Sequence, residues 1–451
     1  MLETMHSQEN PQSKIEAIKG VELFKEGIVT LVEGIEEIPT ALYEYSDLIT
    51  HLNANRSHIK EIPDDFYRLE KLRILFLSWG KQLRAVPDFS KCASLEILGL
   101  QNCSIETFEE DHLPENLKWL MLTNNNLTAL PKSIGKLTSL KKLALAGNKI
   151  HSLPHEMSAC RDLELLRVSA NNLQERLPDW ICSLPKLAYL GDSGNPYNEK
   201  IGPDSIAPGK VFETRDIEID YQTLLNRSPS SEVYPGKIVE SNEPIAYKNY
   251  INNNLTSDGY PRDEMRAFLF ASSFAHPSIV SIVGSIHHAD GIPNLVMPML
   301  DPSKYKKLGS VPNFATIARD TFVRSLCRPA EKVKDVRTIA STVSSALTVF
   351  HEHQLAHGDL YAHNILADGS YACKVTDFGA ASFYSKEDQP NREFIEVRAF
   401  GYLLDDMLNN LYVVDDAHMY EKLVILKNKC LLEDVTSRPT FAEIFNEVEQ
   451  L

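Results

Sequence analysis

Within one short stretch the chain sets oxygen-bearing side chains at close intervals: Asp359, Asn364 five residues on, and then Asp377. A carboxylate can take the proton of an incoming hydroxyl. Carboxylate and amide oxygens are also the ligands that hard cations such as Mg²⁺ accept. Far upstream, Lys248 closes the short run Ile245-Ala246-Tyr247-Lys248, and an ammonium is a point charge suited to phosphate. A base, oxygen ligands and a cation are the parts needed to move a phosphoryl group. Each is weak alone: Asp377-Phe378-Gly379 as a bare triplet says nothing, and Lys248 also reads as a surface strand lysine.

Register makes the set specific. The segment His357-Gly358-Asp359-Leu360-Tyr361-Ala362-His363-Asn364, followed by Asp377-Phe378-Gly379, resembles the protein kinase catalytic loop H-x-D-L-x-x-x-N and its D-F-G metal site. The resemblance implies ATP as substrate and Mg²⁺ as cofactor, with Asp359 as base, Asn364 and Asp377 on the metal, and Lys248, in a strand like V-A-I-K, on the α- and β-phosphates. Val233-Tyr234-Pro235-Gly236 is similar to the V-Y-x-G that follows a kinase phosphate loop. Asp263–Val280 reads as an amphipathic helix running into His276-Pro277-Ser278-Ile279-Val280, similar to the αC helix and its exit. Glu264 is the candidate partner of Lys248, about three residues farther from His276 than is usual. Leu295–Leu300 resembles the strand and hinge that dock adenine, with Ala246 beside it, Met297 as gatekeeper, and Pro298 and Leu300 offering the carbonyl and the N–H. The helix Val336–His353, Phe400-Gly401 within a long helix, and Ser437-Arg438-Pro439-Thr440-Phe441 extend the likeness, toward the tyrosine-kinase-like group, over residues 215–451.

The chain also departs from that pattern. Aligned on Val233, Asn226, Ser228 and Ser231 stand where three glycines let backbone N–H groups approach phosphate. Gly358 replaces the arginine before the catalytic Asp, which disfavours switching by loop phosphorylation. Tyr361 stands where the family has a lysine that helps neutralise the γ-phosphate. Only 18 residues separate Asp377 from Glu396, and no A-P-E intervenes, so the usual peptide platform is cut short. Arg438, which pairs in the family with the Glu of A-P-E, is left to find another carboxylate, Glu393 or Glu396, or to stay solvated.

The elements that precede this set carry an internal repeat. On the template L-x-L-x-x-N-x-L, full matches begin at Leu120, Leu143 and Leu166, one with Cys103 for Asn begins at Leu98, and looser copies begin at Ile28, Leu52, Leu75 and Leu190. The steps are 22 to 24 residues. This resembles the leucine-rich repeat, in which L-x-L is a short strand with its leucines inward and each unit is stable only when stacked. The expected organisation is a polar capping segment (1–27), an α/β repeat solenoid of about seven to eight copies (28–197), a linker (198–214) and an α+β bilobal kinase domain (215–451). Period-2 alternation sends the residues around each strand leucine onto the concave face. Arg167 is among them, and Phe76, Trp119, Met121, Leu165 and Tyr189 are unusually apolar there. They read as a stripe for a protein partner, or as residues packed on the chain's own C-terminal half, or as scattered exposed hydrophobics.

Composition bounds the partners. Net charge is −16, and both halves are acidic, which argues against nucleic acid and anionic membrane surfaces. Seven scattered cysteines with no C-x-x-C pair fit a reducing compartment. A polar N-terminus and the absence of a long apolar run point to a cytoplasmic protein with no membrane span. Three functions follow: an active protein kinase acting on Ser, Thr or Tyr and guided by its repeats, a nucleotide-binding scaffold without transfer, or a kinase of small molecules.

Overall fold

The computed structural model describes residues 10–202, 209–251, 254–287 and 291–451. Residues 1–9 of the expected cap and 203–208 of the expected linker lie outside them. The chain divides into two compact units, Met1–Asp162 and Leu163–Leu451, so two repeat strands belong to the second.

In the first unit, helix α1 (Pro11–Glu16) leads into β1 (Val21–Lys25) and β2 (Ile28–Leu31). One strand per repeat follows: β3 (His51–Asn53), β4 (Ile74–Phe76), β5 (Ile97–Gly99), β6 (Trp119–Met121) and β7 (Lys142–Ala144). From β2 to β7 they pair in parallel, with Leu52, Leu75, Leu98, Leu120 and Leu143 in one row. Each of these leucines is wholly buried, because only stacking hides a unit's apolar side. The first copy is shifted by one residue from the expected start: Val29, not Ile28, pairs with Leu52 and is buried, while Ile28 is exposed. Period-2 geometry allows only one of two neighbours inside. Strand β1 runs antiparallel to β2 and covers its outer side, which shields a row of unpaired backbone groups. Asn125 turns the chain by accepting from Cys103 N and Ile105 N and donating to Leu100 O and Leu122 O.

In the second unit, strands β8 (Leu165–Arg167) and β9 (Tyr189–Gly191), joined through the short helix α2 (Asp179–Cys182), pair in parallel. The next strands are β10 (Lys210–Phe212), β11 (Ile217–Ile219), β12 (Asn226–Arg227), β13 (Ser231–Ile238), β14 (Pro244–Tyr250), β15 (Gly284–Ile286) and β16 (Asn294–Pro298). They form a sheet ordered β10-β15-β16-β14-β13-β11, with β12 on β13. Ile245 and Tyr247 face a core with Ile217, Ile238 and Val296, whereas Ala246 and Tyr250 join the larger core that runs into the helices. The alternation turns Lys248 to that second side.

The helices are α3 (Pro261–Ser272), α4 (Val333–Glu352), α5 (Arg392–Asn409), α6 (Ala417–Cys430) and α7 (Phe441–Glu449). Helix α3 ends at Ser272, well short of the expected Val280. Ala275 takes a left-handed φ of 52°, and Ser272 Oγ accepts Ile282 N at 2.7 Å, so the exit folds back on the helix end. Helix α4 starts about one turn before the expected Val336, because the Asp335 side chain caps Lys332 N at 2.9 Å.

Candidate active site

The catalytic loop is held by its own backbone. His357 Nε2 donates to Thr376 O at 2.9 Å and its Nδ1 accepts Asp359 N. Asn364 O accepts Thr376 N at 2.9 Å and Thr376 Oγ1 at 2.7 Å. Asn364 Nδ2 donates to Asp359 Oδ2 at 2.7 Å and to its carbonyl at 3.0 Å. Asp359 and Asn364 are therefore locked together, and the amide oxygen of Asn364 is left as the atom able to meet a cation. Asp377 lies in the left-handed region, with φ 63°, and its Oδ1 accepts Gly379 N at 3.2 Å. Phe378 is wholly buried and stacks on Phe268 of α3, with centroids 4.9 Å apart. That arrangement puts the ring beneath the helix that carries Glu264.

Lys248 and Glu264 form a buried ion pair, despite the unusual spacing from His276. Burial works against the Lys248 ammonium, but Glu264 and Asp377 hold its pKa above the ordinary lysine value. Val233 pairs with Lys248, and Ala246 with Met297, across the sheet. Pro298 ends β16, and Leu300 packs on the larger core. The strands thus bring Val233, Ala246, Lys248 and Met297 together. Ser228 and Ser231 lie at the β12–β13 turn, where Ser228 Oγ accepts Ser230 N at 3.3 Å and Ser231 N at 3.0 Å. In this turn a hydroxyl takes the backbone donors that a glycine loop leaves open.

The partner stripe needs correction. Leu165 and Tyr189 are buried in the core of the second unit, 3% and 2% exposed, so they offer no free surface to a partner. Tyr189 stacks on Tyr361 with centroids 3.8 Å apart. In the first unit Met121 is buried with Ile74, Ile97 and Ala144, and Phe76 and Trp119 pack on this group. A Cβ at Gly99 would come within 2.5 Å of the Phe76 ring, so the small residue lets the aromatic lie flat on the strand.

Among the described residues Arg438 forms no ion pair with a carboxylate. It donates to the carbonyls of Leu432 at 2.9 Å, Phe394 at 2.7 Å and Pro185 at 2.7 Å. Burial, with Arg398 nearby, draws it down to about 10. Glu393 is engaged with Phe441 N. Glu396 binds Gly358 N and, at 2.8 Å, His351 Nε2. Burial alone would raise the Glu396 pKa, but these hydrogen bonds and the imidazoles of His351 and His357 bring it down to about 2 from the usual 4.5. A depressed carboxylate stabilises the fold above its unfolded pKa, and that contribution disappears as pH falls from 4.5 through about 2. Glu396→Gln is expected to cost about 3 kcal/mol at neutral pH and to flatten the acid limb of stability, as read by denaturant melts across pH.

Sequence reasoning missed Asp258 and the active-site contacts of Arg167. Arg167 Nε donates to Asp258 Oδ1 at 2.8 Å, Nη1 to Gly358 O at 2.9 Å, and Nη2 to Asp359. Burial, opposed by Arg167 and reinforced by Asp359 and Asp377, raises the Asp258 pKa. The trace in sequence is a deficit: no cation at Gly358 or at Tyr361.

The chain carries a leucine-rich repeat region followed by a protein kinase domain. A leucine-rich repeat region model matches residues 76–200 and a protein kinase domain model residues 227–402. Among the curated proteins it resembles is ephrin type-B receptor 4b of Danio rerio, at 25% identity over 179 residues, 38% of this chain and 16% of that protein. The match thus spans a small part of the relative's length. No helix among the described residues is long and apolar enough to cross a membrane.

Proposed function

We propose that the chain is an ATP-dependent protein kinase, acting on a Ser, Thr or Tyr hydroxyl, whose repeats recruit a protein partner or substrate. The observation that carries this reading is the Lys248–Glu264 ion pair within the electrostatic reach of Asp377, which with the locked Asp359–Asn364 pair flanks Asp258. In the kinase mechanism that pair and the D-F-G aspartate must both be in place. Asp359 takes the hydroxyl proton, Asn364 fixes its carboxylate, and Lys248 neutralises phosphate. Asn364 and Asp377 supply the oxygens for Mg²⁺, which when bound offsets negative charge on the phosphates. Val233, Ala246, Met297, Pro298 and Leu300 form the adenine slot. On the repeats, the partly buried Phe76 and Trp119 remain the candidate partner stripe, with Met121 buried beneath them.

The turn at Ser228 favours a second reading, a nucleotide-binding scaffold. Because Ser228 Oγ occupies the N–H groups of Ser230 and Ser231, the loop grips phosphate weakly. Ser228→Gly is expected to tighten ATP binding about threefold to tenfold in calorimetry, the worth of one hydrogen bond. Phosphosite mapping of the full-length chain after incubation with Mg²⁺ and ATP separates the two readings. Sites present in the wild type and absent from Asp359→Asn support the kinase. Bound nucleotide with no sites in either supports the scaffold.

A further inference from the structure

Strands β8 and β9 share the second unit with the kinase fold, and Arg167 ends β8 with its side chain only 3% exposed. A guanidinium out of water must be matched by partners. Here two carboxylates, Asp258 and Asp359, and the Gly358 carbonyl surround it. One oxygen of Asp359 is held by Arg167 and the other by Asn364. The carboxylate of the candidate base thus has its orientation fixed from both sides, once by its own loop and once by a repeat.

The neighbourhood shows the same substitution of parts. Gly358 has φ 75°, and a Cβ there would meet Ala380 O at 2.4 Å and Leu190 O at 2.8 Å, so β9 leaves no room for an arginine before Asp359. Tyr361, which carries no cation, lies flat on Tyr189. Arg438, deprived of A-P-E, donates to Pro185 O between the two repeat strands. Asp192, just past β9, forms a buried ion pair with Arg392 of α5 at 2.6 Å. At Gly358, Tyr361, Arg438 and Arg392 a repeat residue thus lies against the kinase fold.

We propose that β8 and β9 complete the phosphotransfer site, with Arg167 as the residue that positions the Asp359 carboxylate. This rests on the kinase reading above. Residues 215–451 alone are then an incomplete site. Around Asp359 the charged or titratable groups are Arg167, Asp258, Tyr361 and His363, with Asp377 beyond Asp258. Removing the guanidinium leaves the carboxylates of Asp258 and Asp359 facing one another and frees one oxygen of Asp359 from its hold.

The test uses the full-length chain. Arg167→Ala is expected to lower kcat about 100-fold with KM for ATP little changed, as misplacing a reacting group does. A fall in kcat at constant KM is what a misplaced base produces, whereas a generally loosened site raises KM as well. Arg167→Lys recovers part of kcat. Should Arg167→Ala not fold, Arg167→Lys and Asp258→Asn decide: each is expected to lower kcat about 10-fold with KM for ATP little changed. An unchanged kcat in the folded variants overturns the positioning role. A rise in kcat on losing Arg167 overturns it too, making Arg167 a plug, and leaves the kinase reading standing. No transfer from any form, wild type included, overturns both.

Discussion

Lys248→Met is expected to lower phosphate transfer by roughly 10²–10³-fold, the scale for removing one preorganised electrostatic partner. It also strands Glu264, whose side chain is 6% exposed. Breaking a buried pair from one side costs about 3–5 kcal/mol. The double variant Lys248→Met with Glu264→Gln separates the two effects, since it removes the orphaned charge without restoring the cation. Its melting temperature should recover much of the loss while its turnover stays down. If turnover recovers with stability, Lys248 acts only through the fold.

Asp377→Asn is the second large effect. Asn is among the residues that tolerate positive φ, and its amide oxygen can still accept Gly379 N, so the backbone at φ 63° need not move. What disappears is a charged oxygen ligand. In the wild type, ATP should raise the melting temperature more with Mg²⁺ than without it, by mass action on the folded state. In Asp377→Asn that Mg²⁺ increment should vanish, and turnover should fall by about 10²-fold or more. An undiminished increment means that the metal is held elsewhere.

The parts legible in the sequence are those written in local spacing. The repeat leucines announce their strands every 22 to 24 residues, and Asp359, Asn364 and Asp377 sit at motif distances that survive unchanged in the folded loop. Lys248 and Glu264 stand out from strand and helix patterns and meet as a pair. What could not be read is what closes over long range. Arg167 lies 192 positions from Asp359, and its sequence context says only that it leaves the concave side of a strand. The same holds for Arg438: the sequence suggests a nearby carboxylate, whereas three carbonyls satisfy it, one of them 253 positions away. Alternation gives the direction of Tyr189 but not what lies there, so a partner stripe and packing on the chain's own C-terminal half read alike, and Tyr189 does the second. The end of α3 was misplaced for a local reason: Ala275 adopts a left-handed conformation that glycine usually signals, and the sequence offers no glycine.

The second unit couples two of these observations. A kinase fold without the arginine before its base, without the lysine after it, and with a short activation segment still presents an ordered Asp359. Its order comes from Asn364 on one side and Arg167 on the other. With Arg167 as the positioning residue, β8 and β9 belong to the chemistry as well as to the repeat.

The most direct test of the phosphotransfer claim is the rate at which the purified full-length chain moves the γ-phosphate of labelled ATP, in Mg²⁺, onto protein. The wild type should transfer label, and Asp359→Asn should do so about 10²–10⁴-fold more slowly while binding ATP as tightly. Equal rates in the two, or no transfer by a wild type that binds ATP, would contradict it.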